Sequence, residues 1–355
     1  MPGTPSGHAK KETEKIMKRI TSLLIFAIGS ILAAPASTSF TEKEITVRTA
    51  DGTEMGATLS APASGMPKAA IVLATGSGTQ NRDEEIMGKT PFRTIAEYLS
   101  DRGFAVLRAD DRGFSNPADA EGATMETYSG DVASAVAVAD SIFSNIPVGI
   151  LGHSAGGSYA VMNAVRNPSV DFIITLAGPA WSGDSLIMSQ SRAIAMGLTG
   201  RWDAEAGQRR LMDAAKSPLP SFSARALLTT IFSDIYGDAA KLPEVAPKIQ
   251  EQISVLLSPW YRSMLRYDPA ADIRAVRCPW LALNGEKDMQ VLKENLDTVR
   301  ELNPDADTRV MPGHNHMFQQ CQTGLVQEYA TLPGDISPET LEVIADWLDK
   351  TVRAR

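Results

Sequence analysis

Cysteine is nearly absent from this chain of 355 residues, with only Cys278 and Cys321 present. Two thiols cannot staple a fold, and no zinc or iron–sulfur spacing is present. A bridge between them is not expected even in an oxidising compartment. Cys278 reads as the start of a strand, and Cys321 lies beyond the other end of the sheet. An excess of positive charge is also missing. Lys and Arg number 34 against 42 Asp and Glu, a net charge of −8, which argues against nucleic acid or an anionic membrane as partner. The longest apolar run, Ile20–Leu32, falls short of the roughly 20 residues that a membrane-spanning helix needs. There are no internal repeats and no low-complexity tracts. What remains, 43% hydrophobic and 21% charged, is the composition of a soluble globular protein. The length suits one large α/β domain with an insertion, or two small domains.

The short apolar run has its own reading. Lys18-Arg19 precede it and Ala34-Pro35-Ala36 follow it. A basic stretch, an apolar stretch and a small-residue cleavage site describe a secretory signal peptide over residues 1–36. Cleavage after Ala36 makes Ser37 the first mature residue, and an uncleaved anchor is the competing reading. Met17 would itself open a conventional signal peptide, so residues 1–16 read as a start-site artefact. No cysteine lies near the cleavage site to carry a lipid. Residues 1–36 hold five basic and two acidic groups, so their removal takes the net charge to −11. The expected location is periplasmic or secreted, with no stable membrane association after cleavage.

Beyond the leader, strand-like and helical patterns alternate. Lys43–Thr49 and Gly56–Ser60 flank Asp51-Gly52, a hairpin signal. Ala69–Ala74, Ala105–Asp110, Val148–Gly152 and Phe172–Ala177 read as strands, with helices over Phe92–Arg102, Thr127–Phe143 and from the Ser154 corner to Asn167. From Gly178 to Ala275 no strand pattern recurs, and methionines and prolines punctuate helical stretches. Strands resume at Trp280–Asn284 and Thr308–Met311, with helices at Val291–Leu302 and Leu341–Val352. The alternation predicts an α/β fold with a mostly parallel, doubly wound sheet and right-handed crossovers. The core is 37–177 with 276–355. Residues 178–275 are a helical cap inserted over the carboxyl ends of the strands.

Gly152-His153-Ser154-Ala155-Gly156-Gly157 stands at a strand-to-helix corner. A serine between glycines there is a nucleophile elbow: the tight turn holds the Ser154 hydroxyl proud of the sheet. The Ala155 N–H, at the helix start, aims where an oxyanion would form. A serine needs a base, and the base needs an orienting acid. Three histidines follow the leader. His153 adjoins the serine and cannot turn back to take its proton. His314 and His316, in the loop after the last strand, remain, and no third ligand is spaced to make them a metal site. Asn315 suits a turn conformation that few residues accept, which favours His316 as the one facing Ser154. Asp288, in the loop after strand 280–284, is the candidate acid, with Glu286 competing. Asp268 and Asp272 fall at the wrong end of the sheet. The loop Thr75–Asp83 would give the second oxyanion donor, with the Ser77 N–H first and Gly76 second. A phosphate cradle is the rival reading of that loop, but no Gly-Lys-Ser/Thr follows. Arg82-Asp83 and Asp110–Gly113 read as pairing groups of the scaffold.

Five pieces in this order resemble the α/β hydrolases, specifically the exported bacterial carboxylesterase-like branch of S9- and S33-like serine hydrolases. They are Gly76-Ser77-Gly78-x-Gln80-x-Arg82-Asp83, Asp111-Arg112-Gly113, Gly152–Gly157, Asn284-Gly285-Glu286-Lys287-Asp288-x-Gln290-Val291, and Asn315–Gln319. Thr79 and Asn81 stand where that branch would carry proline and aspartate. The resemblance extends from about residue 43 to about residue 352. It implies a triad of Ser154, Asp288 and His316 acting on small-molecule esters, with short acyl chains favoured, and no cofactor or metal. A peptidase of aminopeptidase type, or a thioesterase, on the same three residues is the enzymatic alternative. An idle binding module is the other, and the filled triad positions argue against it.

Overall fold

Four runs carry no Asp, Glu, Lys or Arg and are buried along their whole length, as strands covered on both faces must be. They are β3 (Ala70–Ala74), β5 (Val148–His153), β6 (Phe172–Leu176) and β7 (Trp280–Gly285). The computed structural model describes residues 39–353, so the expected signal peptide lies outside the described residues. In it these strands join β1 (Phe40–Arg48), β2 (Glu54–Pro62), β4 (Ala105–Ala109) and β8 (Asp307–Met311) in one sheet, ordered β1-β2-β4-β3-β5-β6-β7-β8. β1 with β2 and β2 with β4 pair antiparallel, and every later pair is parallel. The β1–β2 turn forms at Asp51-Gly52, with Gly52 at φ 90° and the Thr49 N–H on the Thr53 carbonyl at 2.9 Å. The chain runs outward from β3 to β4 and then crosses back to β5. That reversal opens a crevice beyond the carboxyl ends of β3 and β5, where open α/β sheets place their sites.

Helices α1 (Pro91–Ser100), α2 (Met125–Ile142) and α3 (Ala155–Arg166) connect the first strands. α1 begins with proline, buries Phe92, Ile95, Ala96 and Leu99 at helical spacing, and is followed by Gly103 at φ 89°. α2 starts in a capping box, in which the Thr124 hydroxyl accepts the Thr127 N–H and the Thr127 hydroxyl accepts the Thr124 N–H. α3 packs on β5 and β6.

After β6 the chain leaves the sheet. Residues 183–267 form a compact unit of five helices: α4 (Gly183–Thr199), α5 (Glu205–Lys216), α6 (Ser221–Tyr236), α7 (Ala246–Leu256) and α8 (Pro259–Arg266). Leu211, Met212, Leu228, Phe232 and Ile253 are among its buried residues. This unit is narrower than the 178–275 read from the sequence. Ala180 and Ile273 fill the core of the sheet instead, and α9 (Ala270–Ala275) packs on α3.

α10 (Asn295–Leu302) and α11 (Pro338–Arg353) complete the fold. α10 starts four residues later than the expected Val291. The Val291 carbonyl is taken by the Asn284 amide at 2.8 Å, so it is lost to a helix. No helix among the described residues is long and apolar enough to cross a membrane. No disulfide joins Cys278 and Cys321.

Candidate active site

Two glycines make the corner between β5 and α3. A Cβ on Gly152 would fall 2.0 Å from the Gly156 carbonyl oxygen, and one on Gly156 would fall 2.0 Å from the Ala74 carbonyl oxygen. Between them Ser154 takes φ 53° and ψ −119°, a region that costs a side-chain-bearing residue roughly 1–3 kcal/mol. Hydrogen bonds hold it there: Ser154 N–H to the Leu176 carbonyl and Gly157 N–H to the Ser154 carbonyl, both 2.9 Å. Ser154 is partly exposed, while His153 and Ala155 beside it are buried. The Ala155 N–H, first in α3, has no acceptor within the helix.

Asp288 and His316 meet. The His316 Nδ1–H donates to Asp288 Oδ2 at 2.7 Å, and both side chains are buried. The other carboxylate oxygen accepts the Gln290 and Val291 N–H groups at 2.7 and 2.9 Å. With the proton on Nδ1, Nε2 is the basic nitrogen. Gly285 admits the histidine loop, since a Cβ there would lie 2.4 Å from the Asn315 and 2.5 Å from the His314 carbonyl oxygens. The Ser154 Oγ makes no hydrogen bond among the described residues. A serine commonly closes that contact only with substrate bound.

The competing residues are tied elsewhere. His314 is buried, its Nδ1–H on the Pro312 carbonyl at 2.8 Å and its Nε2 accepting the Ser337 hydroxyl at 2.6 Å. Glu286 is exposed and accepts the Gly313 N–H at 2.9 Å. Asn315 builds its turn differently from the sequence expectation. The left-handed residue is Phe318, at φ 55°. Asn315 shapes the turn through its side-chain oxygen, which accepts the Gln319 N–H at 2.9 Å.

The loop after β3 lies against the elbow. A Cβ on Gly76 would sit 3.4 Å from that of Ser154 and 3.0 Å from Glu84 Oε1. The Gly76 N–H donates to Glu84 Oε1 at 2.6 Å, so this second-choice oxyanion donor is already engaged. Among the described residues the Ser77 N–H has no acceptor. Asp111 braces the loop, accepting the Thr75 hydroxyl at 2.6 Å and the Gln80 N–H at 2.8 Å. Burial pushes the Asp111 carboxyl up to about 8, against the pull of those two donors. Arg82 forks onto Asp110 at 2.7 and 3.1 Å, Arg112 forks onto Asp131 with both bonds at 2.6 Å, and Asp83 pairs with Arg93 and Arg108. These charges bind one another.

The chain matches the alpha/beta hydrolase family over residues 71–328. It belongs to that family. The esterase EstD of Thermotoga maritima is 23% identical over 317 residues, which cover 88% of this hydrolase and 68% of that protein. Among solved structures, the proline iminopeptidase of Mycobacterium smegmatis superposes with a TM-score of 0.54 at 18% identity, covering 88% of this chain and 99% of that one. The Pyrococcus furiosus esterase Pf2001 superposes with a TM-score of 0.52 at 14% identity, covering 88% and 92%. At these identities the two superpositions establish the shared fold.

One residue of the hydrolase site escapes sequence reasoning. Glu84 is 1% exposed, sits at φ 51°, and places Oε1 2.9 Å from the His153 Nδ1. Its only signal is an acid beside Asp83 in the first glycine loop, which a solvated loop residue would give equally.

Proposed function

We propose that this hydrolase cleaves carboxylic esters, with short acyl chains preferred, through an acyl-enzyme on Ser154, and that it works outside the cytoplasm after losing residues 1–36. The observation that carries the reading is the buried 2.7 Å bond from His316 to Asp288, with the His316 ring 4.7 Å from that of His153, the residue before Ser154. That bond leaves Nε2 free to take a proton. The Thermotoga relative's activity as an esterase supports the substrate class.

In this reading Ser154 Oγ attacks the acyl carbon while His316 Nε2 takes its proton. Asp288 holds the imidazolium that forms. Negative charge gathers on the former carbonyl oxygen, where the Ala155 and Ser77 N–H groups donate to it. Collapse expels the alcohol, which leaves with the proton from His316. Water, deprotonated by the same nitrogen, then attacks the acyl-enzyme and frees the acid and Ser154.

The test is a panel of p-nitrophenyl esters of increasing acyl length beside aminoacyl p-nitroanilides. Ester turnover greatest at short chains is expected, abolished by Ser154→Ala with folding intact. A fluorophosphonate should label Ser154 alone, and labelling that persists in Ser154→Ala overturns the nucleophile. Anilide turnover exceeding that of esters favours the peptidase. Export is read by N-terminal sequencing of secreted material, which should begin at Ser37.

A further inference from the structure

Behind the elbow lies a pair of buried ionisable groups that the ester mechanism does not use. His153 Nδ1 is 2.9 Å from Glu84 Oε1, and His153 Nε2 is 3.0 Å from the His316 carbonyl oxygen. A carbonyl oxygen only accepts, so Nε2 carries a proton. Glu84 Oε1 already accepts the Gly76 N–H at 2.6 Å, so it faces Nδ1 as a second acceptor. A ring donating from both nitrogens, to the Glu84 carboxyl oxygen and to the His316 carbonyl, satisfies all of these contacts. Burial opposes the charged ring, but the Glu84 carboxylate and the His316 carbonyl outweigh it and hold the His153 proton above the usual histidine range.

Such a pair is a poor way to gain stability. Apolar groups of the same shape commonly do as well. Here the arrangement is costlier still: Glu84 Oε2 is buried with no hydrogen-bond partner, and Glu84 itself is at a left-handed φ of 51°. What the pair does achieve is positional. One carboxylate oxygen ties the Thr75–Gly76 peptide, one plane before the Ser77 N–H. The histidine on the same oxygen is the residue before Ser154, and its far nitrogen ties the backbone of His316. Three segments far apart in sequence are joined through four atoms.

We propose that Glu84 and His153 form a charged clamp that positions the oxyanion loop and the base loop together against the elbow. Neither group touches substrate; both act through Gly76 and His316. This rests on Ser154 and His316 acting as proposed above.

The test uses the mature enzyme with Glu84→Gln, His153→Gln and the double variant. Each is measured for kcat and KM on p-nitrophenyl butyrate, with active sites counted by fluorophosphonate. Each single variant should lose about 100-fold in kcat per titrated site, the scale of a small misplacement of reacting groups. KM should stay within about threefold. The double variant should be no worse than about threefold below the poorer single, because the two act as one unit. NMR of nitrogen-labelled histidine in the wild type should show both His153 nitrogens protonated at neutral pH. If Glu84→Gln fails to fold, His153→Gln and the wild-type spectrum still decide. A single variant with wild-type kcat, losses that multiply in the double, or a neutral His153 ring each overturns the clamp. Ser154→Ala run alongside separates the failures. Turnover surviving it overturns the nucleophile reading and the clamp with it, whereas its inactivity beside a wild-type Glu84→Gln overturns the clamp alone.

Discussion

In the sheet unit, at the loops after β3, β4, β5 and β7, many charged and polar side chains are buried or half-buried and bonded to one another or to backbone. Asp288 takes three donors within 2.9 Å, Asp111 takes two, and Arg112 sits 6% exposed against Asp131. The helical unit of residues 183–267 is built the other way. Several of its ion pairs, such as Arg210–Asp234 and Lys241–Asp238, have side chains at least half exposed, and Lys216–Asp184 is about a third exposed. Its interior is aliphatic and aromatic, and the buried amide nitrogens of Gln208 and Gln252 have no partner among the described residues. Burying a charge is costly unless it is paired. The sheet unit accepts that cost where side chains must be held to a fraction of an ångström, whereas the helices rely on apolar contact, which fixes position less sharply.

The comparison can be broken most directly at the two histidines of one loop. His316→Ala should lower kcat by several orders of magnitude with little change in melting temperature, as loss of a triad member does. His314→Ala should cost about tenfold or less in kcat but roughly 1–3 kcal/mol in stability, because it removes a buried ring with its bonds to the Pro312 carbonyl and the Ser337 hydroxyl. Steady-state kinetics beside urea unfolding decides, and the reverse pattern would move the base by two residues.

Asp111 gives the next effect. Its folded carboxyl, near 8, is well above the ordinary 3.8, so between those values the native state holds a proton that the unfolded chain has released. Stability should therefore fall as pH rises through this window. Asp111→Asn removes the titration, so unfolding series from pH 5 to pH 8 should show a flatter slope for the variant. Equal slopes would mean that the Thr75 and Gln80 donors keep Asp111 ionised throughout.

In the helical unit, effects should be small and can be favourable. Gln208→Leu removes an unpartnered buried amide nitrogen and should raise stability by about 1 kcal/mol. A loss of similar size would show that the amide is specifically held. Phe222, 85% exposed, should tolerate serine within about 0.5 kcal/mol. A larger change by urea unfolding would show that this apolar surface is in use.

What the sequence makes legible follows the range of the interactions. The elbow is local: Gly152, Ser154 and Gly156 announce a turn that no other residues could make. The shortage of histidines narrows the base, and Asp288 is found by its place after a strand. The Glu84–His153 pair spans 69 residues and leaves no local pattern. Nor does any spacing reveal that the Gly76 N–H is occupied. The late start of α10 depends on Asn284 taking the Val291 carbonyl, a tertiary effect that helical periodicity cannot carry. Residues 178–182 and 268–275 read as insertion because an apolar pattern does not say which core it fills.

The bond from His153 to the backbone of His316 joins positions 163 residues apart. Contacts of such separation form late and slow the search for the native state. During synthesis, the glycine loop and the serine corner exist long before residue 316 has been made. If Ser154 and His316 act as proposed, a chain that stops short of residue 316 lacks both that clamp contact and the base, and should be inactive towards esters.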